Sequence, residues 1–195
     1  MTSTTQYTRP VASAHAFDVA ALASWMDAHV EGFRGPLIVE QFSGGQSNPT
    51  YLLRTDAAKY VLRRKPPGAL LPSAHAVDRE FRVISALANT NVPVARAYAL
   101  CEDDSVIGTM FYVMDCVDGR ILWDPALPGY SPPERAAIFD EMNRVIAALH
   151  CVNYQAIGLG DYGRTSQYLE RQIARWSKQY RAAETEKIEA FDKLI

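Results

Sequence analysis

The sequence predicts an α+β protein. Strand-forming segments crowd into roughly the first 120 residues around one inserted helix, and only helical periodicity follows the Pro-rich stretch at 124–133. Strands and helices segregated in this way make a sheet with helices packed on it, not an alternating α/β fold. The composition is that of a globular domain: 195 residues, 48% hydrophobic and 22% charged. A chain of this length buries about 70% of its unfolded surface, so no metal or disulfide staple is needed.

Residues 1–16 are Ser/Thr-rich with one arginine and read as a frayed N-terminus, without the apolar core of a secretory signal. Residues 17–30 place Phe17, Leu22, Trp25, Met26 and Val30 on one side of a helix, which Gly32 and Gly35-Pro36 stop. Residues 37–42, 50–54 and 59–64 are three strands joined by short loops, an antiparallel meander. Lys65-Pro66-Pro67-Gly68 breaks the pattern. A helix over 73–89 follows, with Ser73 as N-cap and Val77, Phe81, Ile84 and Ala88 along one stripe. Residues 96–101 and 106–117 make two more strands around an Asp103-Asp104 turn, for five in all. Ser131-Pro132-Pro133-Glu134 starts a long helix that runs to about residue 153, with proline at its first positions. A last helix from about 166 carries Tyr168, Ile173, Trp176 and Tyr180.

Twenty basic residues against 22 acidic ones give a net charge of −2. A nucleic-acid-coating protein draws its affinity from an excess of cations, so that class is excluded, whereas a small basic pocket is not. No run of 18 apolar residues occurs, which excludes a membrane-spanning helix. The three cysteines form no Cys-x-x-Cys pair. They read as small buried hydrophobes in a reducing compartment, and hence as a cytoplasmic protein.

Candidate chemistry begins at the loop Ser43, Gly44, Gly45, Gln46, Ser47, Asn48 between two strands. Adjacent glycines let backbone N–H groups approach phosphate oxygens, although a glycine turn between strands also serves as a plain hairpin. The third strand ends in Arg63, Arg64 and Lys65, three cations beside that loop that suit a polyphosphate or, equally, a solvated strand end. Strand alternation puts Arg63 on the face opposite Leu62 and Arg64. Glu80 lies beside the apolar stripe of the inserted helix, where a carboxylate needs a cation or water. Residues 111–119 form an apolar strand ending at a polar break, whose exposed backbone could hold a flat heterocycle or simply lie in the core.

In this order the features resemble the nucleotide-binding lobe of a kinase, and more closely the aminoglycoside phosphotransferase (choline kinase-like) family. Within it the chain is similar to kinase-like domains related to those fused to acyl-CoA dehydrogenases. The carrying segments are Phe42-Ser43-Gly44-Gly45-Gln46-Ser47-Asn48-Pro49-Thr50-Tyr51, Tyr60-Val61-Leu62-Arg63-Arg64-Lys65-Pro66-Pro67-Gly68 and Arg79-Glu80-Phe81. Val113-Met114, Gly158-Leu159-Gly160-Asp161-Tyr162-Gly163-Arg164 and Arg171-Gln172-Ile173-Ala174-Arg175-Trp176 complete the set, which covers roughly 35–185. The resemblance implies an N-terminal extension and helix over 1–34, a nucleotide-binding lobe over 35–119 and the start of a helical lobe over 120–195. It implies ATP and Mg²⁺ as cofactors and a small-molecule hydroxyl as phosphate acceptor, with a hydroxyacyl or hydroxy-acid compound suggested by the fused relatives. The loop 43–48 would cover the phosphates. Arg63 would stand where the kinase strand lysine usually stands, and Glu80 would pair with it. Met114 would lie behind adenine, held by the Asp115 carbonyl and the Val117 amide.

One departure is large. The family's catalytic loop carries a His-Gly-Asp pattern followed downstream by a metal-binding Asp, and none of the four histidines here begins His-x-Asp. His150-Cys151-Val152-Asn153 with Asp161-Tyr162-Gly163 mimics the pattern, but valine occupies the base position. The sequence also ends in a helical run without a glycine or proline stop, which reads as truncation. Catalytic and metal residues are therefore expected to be absent, and the chain alone to be inactive. The alternative is a non-catalytic nucleotide-binding or interaction module. A helical lobe lacking its later helices should leave Tyr168, Trp176 or Tyr180 facing solvent, with self-association through that patch.

Overall fold

The computed structural model describes residues 7–43, 48–68, 75–163 and 166–194. The chain divides into two compact units, residues 1–152 and 153–195.

The first unit is built on an antiparallel sheet. Its strands are β1 (Thr8–Arg9), β2 (Ile38–Phe42), β3 (Thr50–Arg54), β4 (Lys59–Arg64), β5 (Ala97–Cys101) and β6 (Phe111–Asp115), in the order β1-β2-β3-β4-β6-β5. The meander β2-β3-β4 matches the sequence reading. The sheet has six strands among the described residues, not five, because Thr8 and Arg9 pair with Phe42 and Gln41. Two residues are too few to show strand alternation, so composition made this segment look frayed. Backbone pairing holds it in place, including a bond from the Ser43 N–H to the Tyr7 carbonyl at 2.9 Å.

The last strand is also shorter than expected. The Gly108 N–H bonds back to the Asp104 carbonyl at 2.7 Å, and Gly108 adopts φ 85°, so 103–108 is a turn. Ile107 in that turn is apolar because it is buried in the core, not because it is in a strand.

Both faces of the sheet are covered, which is why β3 and β4 read as near-continuous apolar runs. On one face α1 (Val19–His29) buries Leu22 and Met26 against Tyr51, Leu53, Tyr60, Leu62, Phe111 and Val113. Asp18 caps this helix, its carboxylate accepting from the Ala20 and Ala21 amides at 2.9 and 3.0 Å. On the other face α2 (Val77–Leu87) sets Phe81 near the Tyr112 ring, 6.0 Å between centroids. The expected cap Ser73 lies outside the described residues. The residue before the helix, Ala76, supplies no side-chain cap.

Arg64 corrects the reading of three cations lining one site. It points to the α1 face and is only 2% exposed. Its guanidinium donates to the carbonyls of Ile107 (3.2 Å) and His15 (3.3 Å) and lies over the Phe17 and Tyr51 rings at 5.2 and 5.6 Å. Strand alternation sends it there, and the π faces and carbonyls replace water around a charge that has no carboxylate partner among the described residues.

α3 (Pro132–His150) closes the first unit. The Ser131 hydroxyl and N–H both donate to Glu134, at 2.6 and 2.8 Å, a capping box at the start of the helix. Phe139, Met142, Ile146 and Leu149 lie about half exposed along α3. In the second unit, α4 (Tyr168–Ala183) and α5 (Glu189–Asp192) meet where the Tyr180 ring approaches Phe191 at 5.8 Å. Tyr168 and Trp176 are 63% and 64% exposed, as expected, whereas Tyr180 is half buried.

Arg64→Ala should lower the unfolding free energy by about 2–4 kcal/mol, because it leaves a cavity and takes the side-chain donor from the buried Ile107 carbonyl, while the His15 carbonyl keeps only the Tyr51 hydroxyl at 3.3 Å. Chemical denaturation reads this directly. A loss under about 1 kcal/mol would show that the guanidinium is not what joins residues 12–17 to the sheet.

Candidate functional site

The face of the sheet opposite Arg64 carries the candidate site. Arg63 projects there from the last turn of β4, and Glu80 reaches it from the first turn of α2. The Arg63 Nε donates to Glu80 Oε2 at 2.8 Å and its NH2 to Oε1 at 3.2 Å, a two-pronged ion pair. Its NH1 donates to the Thr50 hydroxyl at 3.2 Å. The Tyr112 hydroxyl donates to Glu80 Oε2 at 3.0 Å, and Asn48 Nδ2 donates to Oε1 at 2.8 Å. Four donor groups thus converge on one carboxylate.

These contacts set the charges. Burial opposes ionisation of Glu80, but the hydrogen bonds and positive charge of Arg63, with help from Tyr112 and Asn48, outweigh it and hold the carboxyl below its ordinary value. Burial likewise works against the Arg63 cation, and Glu80 more than restores it. The Tyr112 phenol is pushed well up, first by burial and then by the Glu80 charge. The pair is therefore ionised at neutral pH beside a neutral phenol. The guanidinium carries five N–H groups. Its bonds to Glu80 and Thr50 engage three of them and Tyr112 also draws on the cation, leaving at least one for an anion among the described residues.

The other expected residues fall as follows. The Ser43 hydroxyl and N–H both donate to the Tyr7 carbonyl at 2.9 Å, so β1 anchors the start of the loop. Gly44, Gly45, Gln46 and Ser47 lie outside the described residues. Asn48 is buried, with its side chain committed to Glu80 on one side and His75 on the other. Met114 is half buried on the same face of β6 as Tyr112. The Asp115 carboxylate takes the Tyr98 hydroxyl at 2.5 Å, and burial with this bond pushes the Tyr98 phenol up to about 12. Val117 is 70% exposed just past the strand end.

Sequence reasoning missed Thr50, Tyr112 and His75. Tyr112 had a usable signal, since it stands directly opposite Arg63 in the β4–β6 register. Thr50 stands opposite Arg63 in the β3–β4 register and was equally legible once the meander was drawn. His75 had none, because its contact with Asn48 spans 27 residues.

With this geometry in view, the comparisons with known proteins are consistent. The family model described as "Phosphotransferase enzyme family" matches residues 38–195. Acyl-CoA dehydrogenase family member 10 of Mus musculus is 48% identical over 189 residues, covering 96% of this chain and 18% of the mouse protein. Acyl-CoA dehydrogenase family member 11 of Homo sapiens is 44% identical over 184 residues, covering 92% of this chain and 24% of the human protein. A crystal structure from Ralstonia eutropha, provisionally assigned as an aminoglycoside phosphotransferase, is 61% identical with a TM-score of 0.79. It covers 92% of this chain, which in turn spans 52% of that one. The kinase-like α+β fold implied by the resemblance is thus found. The chain spans about a quarter or less of the curated relatives and about half of the solved one.

The depressed Glu80 value gives a stability test. A carboxyl whose folded value lies below its unfolded one stabilises the fold at neutral pH and loses that effect as pH falls through the folded value. Glu80→Gln should therefore be less stable than the native sequence at pH 7, with the gap narrowing below about pH 5. Urea midpoints across this range measure it. An equal gap at about pH 3.5 would mean that the charge on Glu80 contributes nothing.

Proposed function

This chain belongs to the phosphotransferase enzyme family, and from that premise we propose that it carries the nucleotide-binding part of an ATP-dependent kinase acting on a small-molecule hydroxyl. The observation that carries the reading is the Arg63–Glu80 ion pair, fixed at the end of β4 close to Asn48, with guanidinium N–H capacity left over. A cation held rigidly with donors to spare is what orienting a polyphosphate requires, because phosphoryl transfer depends on positioning and charge stabilisation.

ATP, when bound, supplies the transferred phosphoryl group. The residues of this chain then bind and orient. Arg63 holds phosphate oxygens, and Glu80 keeps the guanidinium from swinging away. The loop 43–48 covers the phosphates, while Met114 and the backbone of Asp115 and Val117 receive the adenine. Thr50 and Tyr112 hold the ion pair in register. Mg²⁺ is the metal expected of the reaction. Among the described residues no group of three or more His, Cys, Asp or Glu is suited to hold a metal ion. In this reading Val152, in the pseudo-motif's base position, cannot accept the proton of the substrate hydroxyl, and no residue of this chain is assigned that role. The names of the relatives, acyl-CoA dehydrogenase family members, favour a hydroxyacyl or hydroxy-acid acceptor.

Titration of the chain with ATP by calorimetry is the test. Binding is expected in the upper micromolar to millimolar range, about −4 to −6 kcal/mol. Arg63→Ala should weaken it by about tenfold or more, the cost of one charged hydrogen-bonding clamp. A folded chain that binds no adenine nucleotide would overturn the reading. Binding by the longer protein without transfer to any hydroxy acid or hydroxyacyl compound would favour a non-catalytic nucleotide-binding module.

A further inference from the structure

We propose that His75 is a positioning residue of this site, fixing Glu80 and through it Arg63 by way of the buried amide of Asn48. The inference deepens the nucleotide reading of the same site and rests on it for its effect on ligand binding.

Asn48 is only 6% exposed, and both ends of its side chain are engaged. One end lies 2.8 Å from Glu80 Oε1. An ionised carboxylate only accepts, so the group facing it must be the –NH₂. The amide oxygen therefore faces His75 Nδ1, also at 2.8 Å. That oxygen only accepts, so Nδ1 must carry the proton. The chain His75 Nδ1–H, Asn48, Glu80, Arg63 then has one consistent direction of donation. Flipping the amide would set its oxygen against the carboxylate.

Without the imidazole donor, the Asn48 oxygen is buried with no partner, and the amide loses its reason to face Glu80. The carboxylate then gives up one of its four donor groups, and its grip on the Arg63 Nε and NH2 loosens. His75 also holds a left-handed backbone, φ 57°, immediately ahead of α2. Histidine and asparagine tolerate that conformation better than most residues, and glycine adopts it freely. This separates the side chain's role from backbone strain. His75→Gly removes the donor without left-handed strain, and His75→Asn places an –NH₂ near the position of Nδ1–H.

The test uses two readouts on the 195-residue chain. In proton–nitrogen NMR, the Arg63 Nε–H is expected as a distinct, slowly exchanging resonance, and His75 as the Nδ1–H tautomer in long-range spectra. His75→Gly should broaden or erase the Arg63 signal, and His75→Asn should restore it. In ATP titrations His75→Gly should weaken binding by about five- to tenfold, and His75→Asn should return it to within about twofold. An Arg63 resonance unchanged in His75→Gly overturns the inference. So does an Nε2–H tautomer in the native protein, and so does equal weakening by both variants. If the resonances behave as expected while the native chain binds no ATP, the nucleotide reading fails and the positioning role stands.

Discussion

The site depends on a carboxylate that is kept ionised away from bulk water. Glu80 is two-thirds buried, and a charge in that position is costly unless its oxygens are filled with donors. Arg63, Tyr112 and Asn48 fill them. The donors come from β4, β6 and the segment before β3, while the carboxylate comes from α2. One residue thus ties a helix to three places along the sheet, and α2 cannot shift along the sheet without breaking several charged hydrogen bonds together. The geometry is therefore set before any ligand arrives, which is the condition for a cation to orient a phosphate instead of merely attracting it.

Adjacent arginines on β4 show how strand periodicity assigns unlike tasks to like residues. Arg63 faces α2 and is about a third exposed, with spare donors. Arg64 faces α1, is almost wholly buried, and is occupied by two carbonyls and two rings. A lysine could replace neither without loss. At position 63 a single ammonium could not span both oxygens of Glu80 and the Thr50 hydroxyl. At position 64 it could not donate in two directions while stacking on two faces. Arginine at position 63 thus suits the phosphate-orienting role proposed for it.

The legible parts of the structure were those written in local periodicity. The meander, the helices α1 and α2 and the Ser131 cap all follow from neighbours in sequence. The Arg63–Glu80 pair was legible too, because alternation and helical phase each point one residue toward a common face. What escaped the sequence was non-local or too short. β1 is defined only by its pairing with β2, and Ile107 is apolar through its burial in a turn. The phase rule did separate Arg63 from Arg64, but a charged run at a strand end looked like one basic cluster, since the opposite face had yet to be filled by α1 and residues 12–17. The Asn48–His75 contact joins two segments on either side of β3 and β4, so no spacing in the sequence announces it.

The helical segments follow a different physical logic from the sheet. In the central strands of the sheet, apolar side chains on both faces have partners, and Tyr51, Leu52, Leu53 and Leu62 are all fully buried. On α3, Phe139, Met142, Ile146 and Leu149 recur at spacings of three, four and three, the stripe that a helix turns toward a neighbour, yet each is about half exposed. On α4, Tyr168, Leu169, Ile173 and Trp176 are more exposed still. Hydrophobic burial stabilises in proportion to the area removed from water, so these helices contribute far less per residue than the sheet does. The sheet and α1 therefore supply most of the cohesion of the described residues. The Arg63–Glu80 cluster between β4 and α2 rests on that part of the molecule, which explains how its hydrogen bonds can be in place while α3 and α4 present exposed apolar side chains.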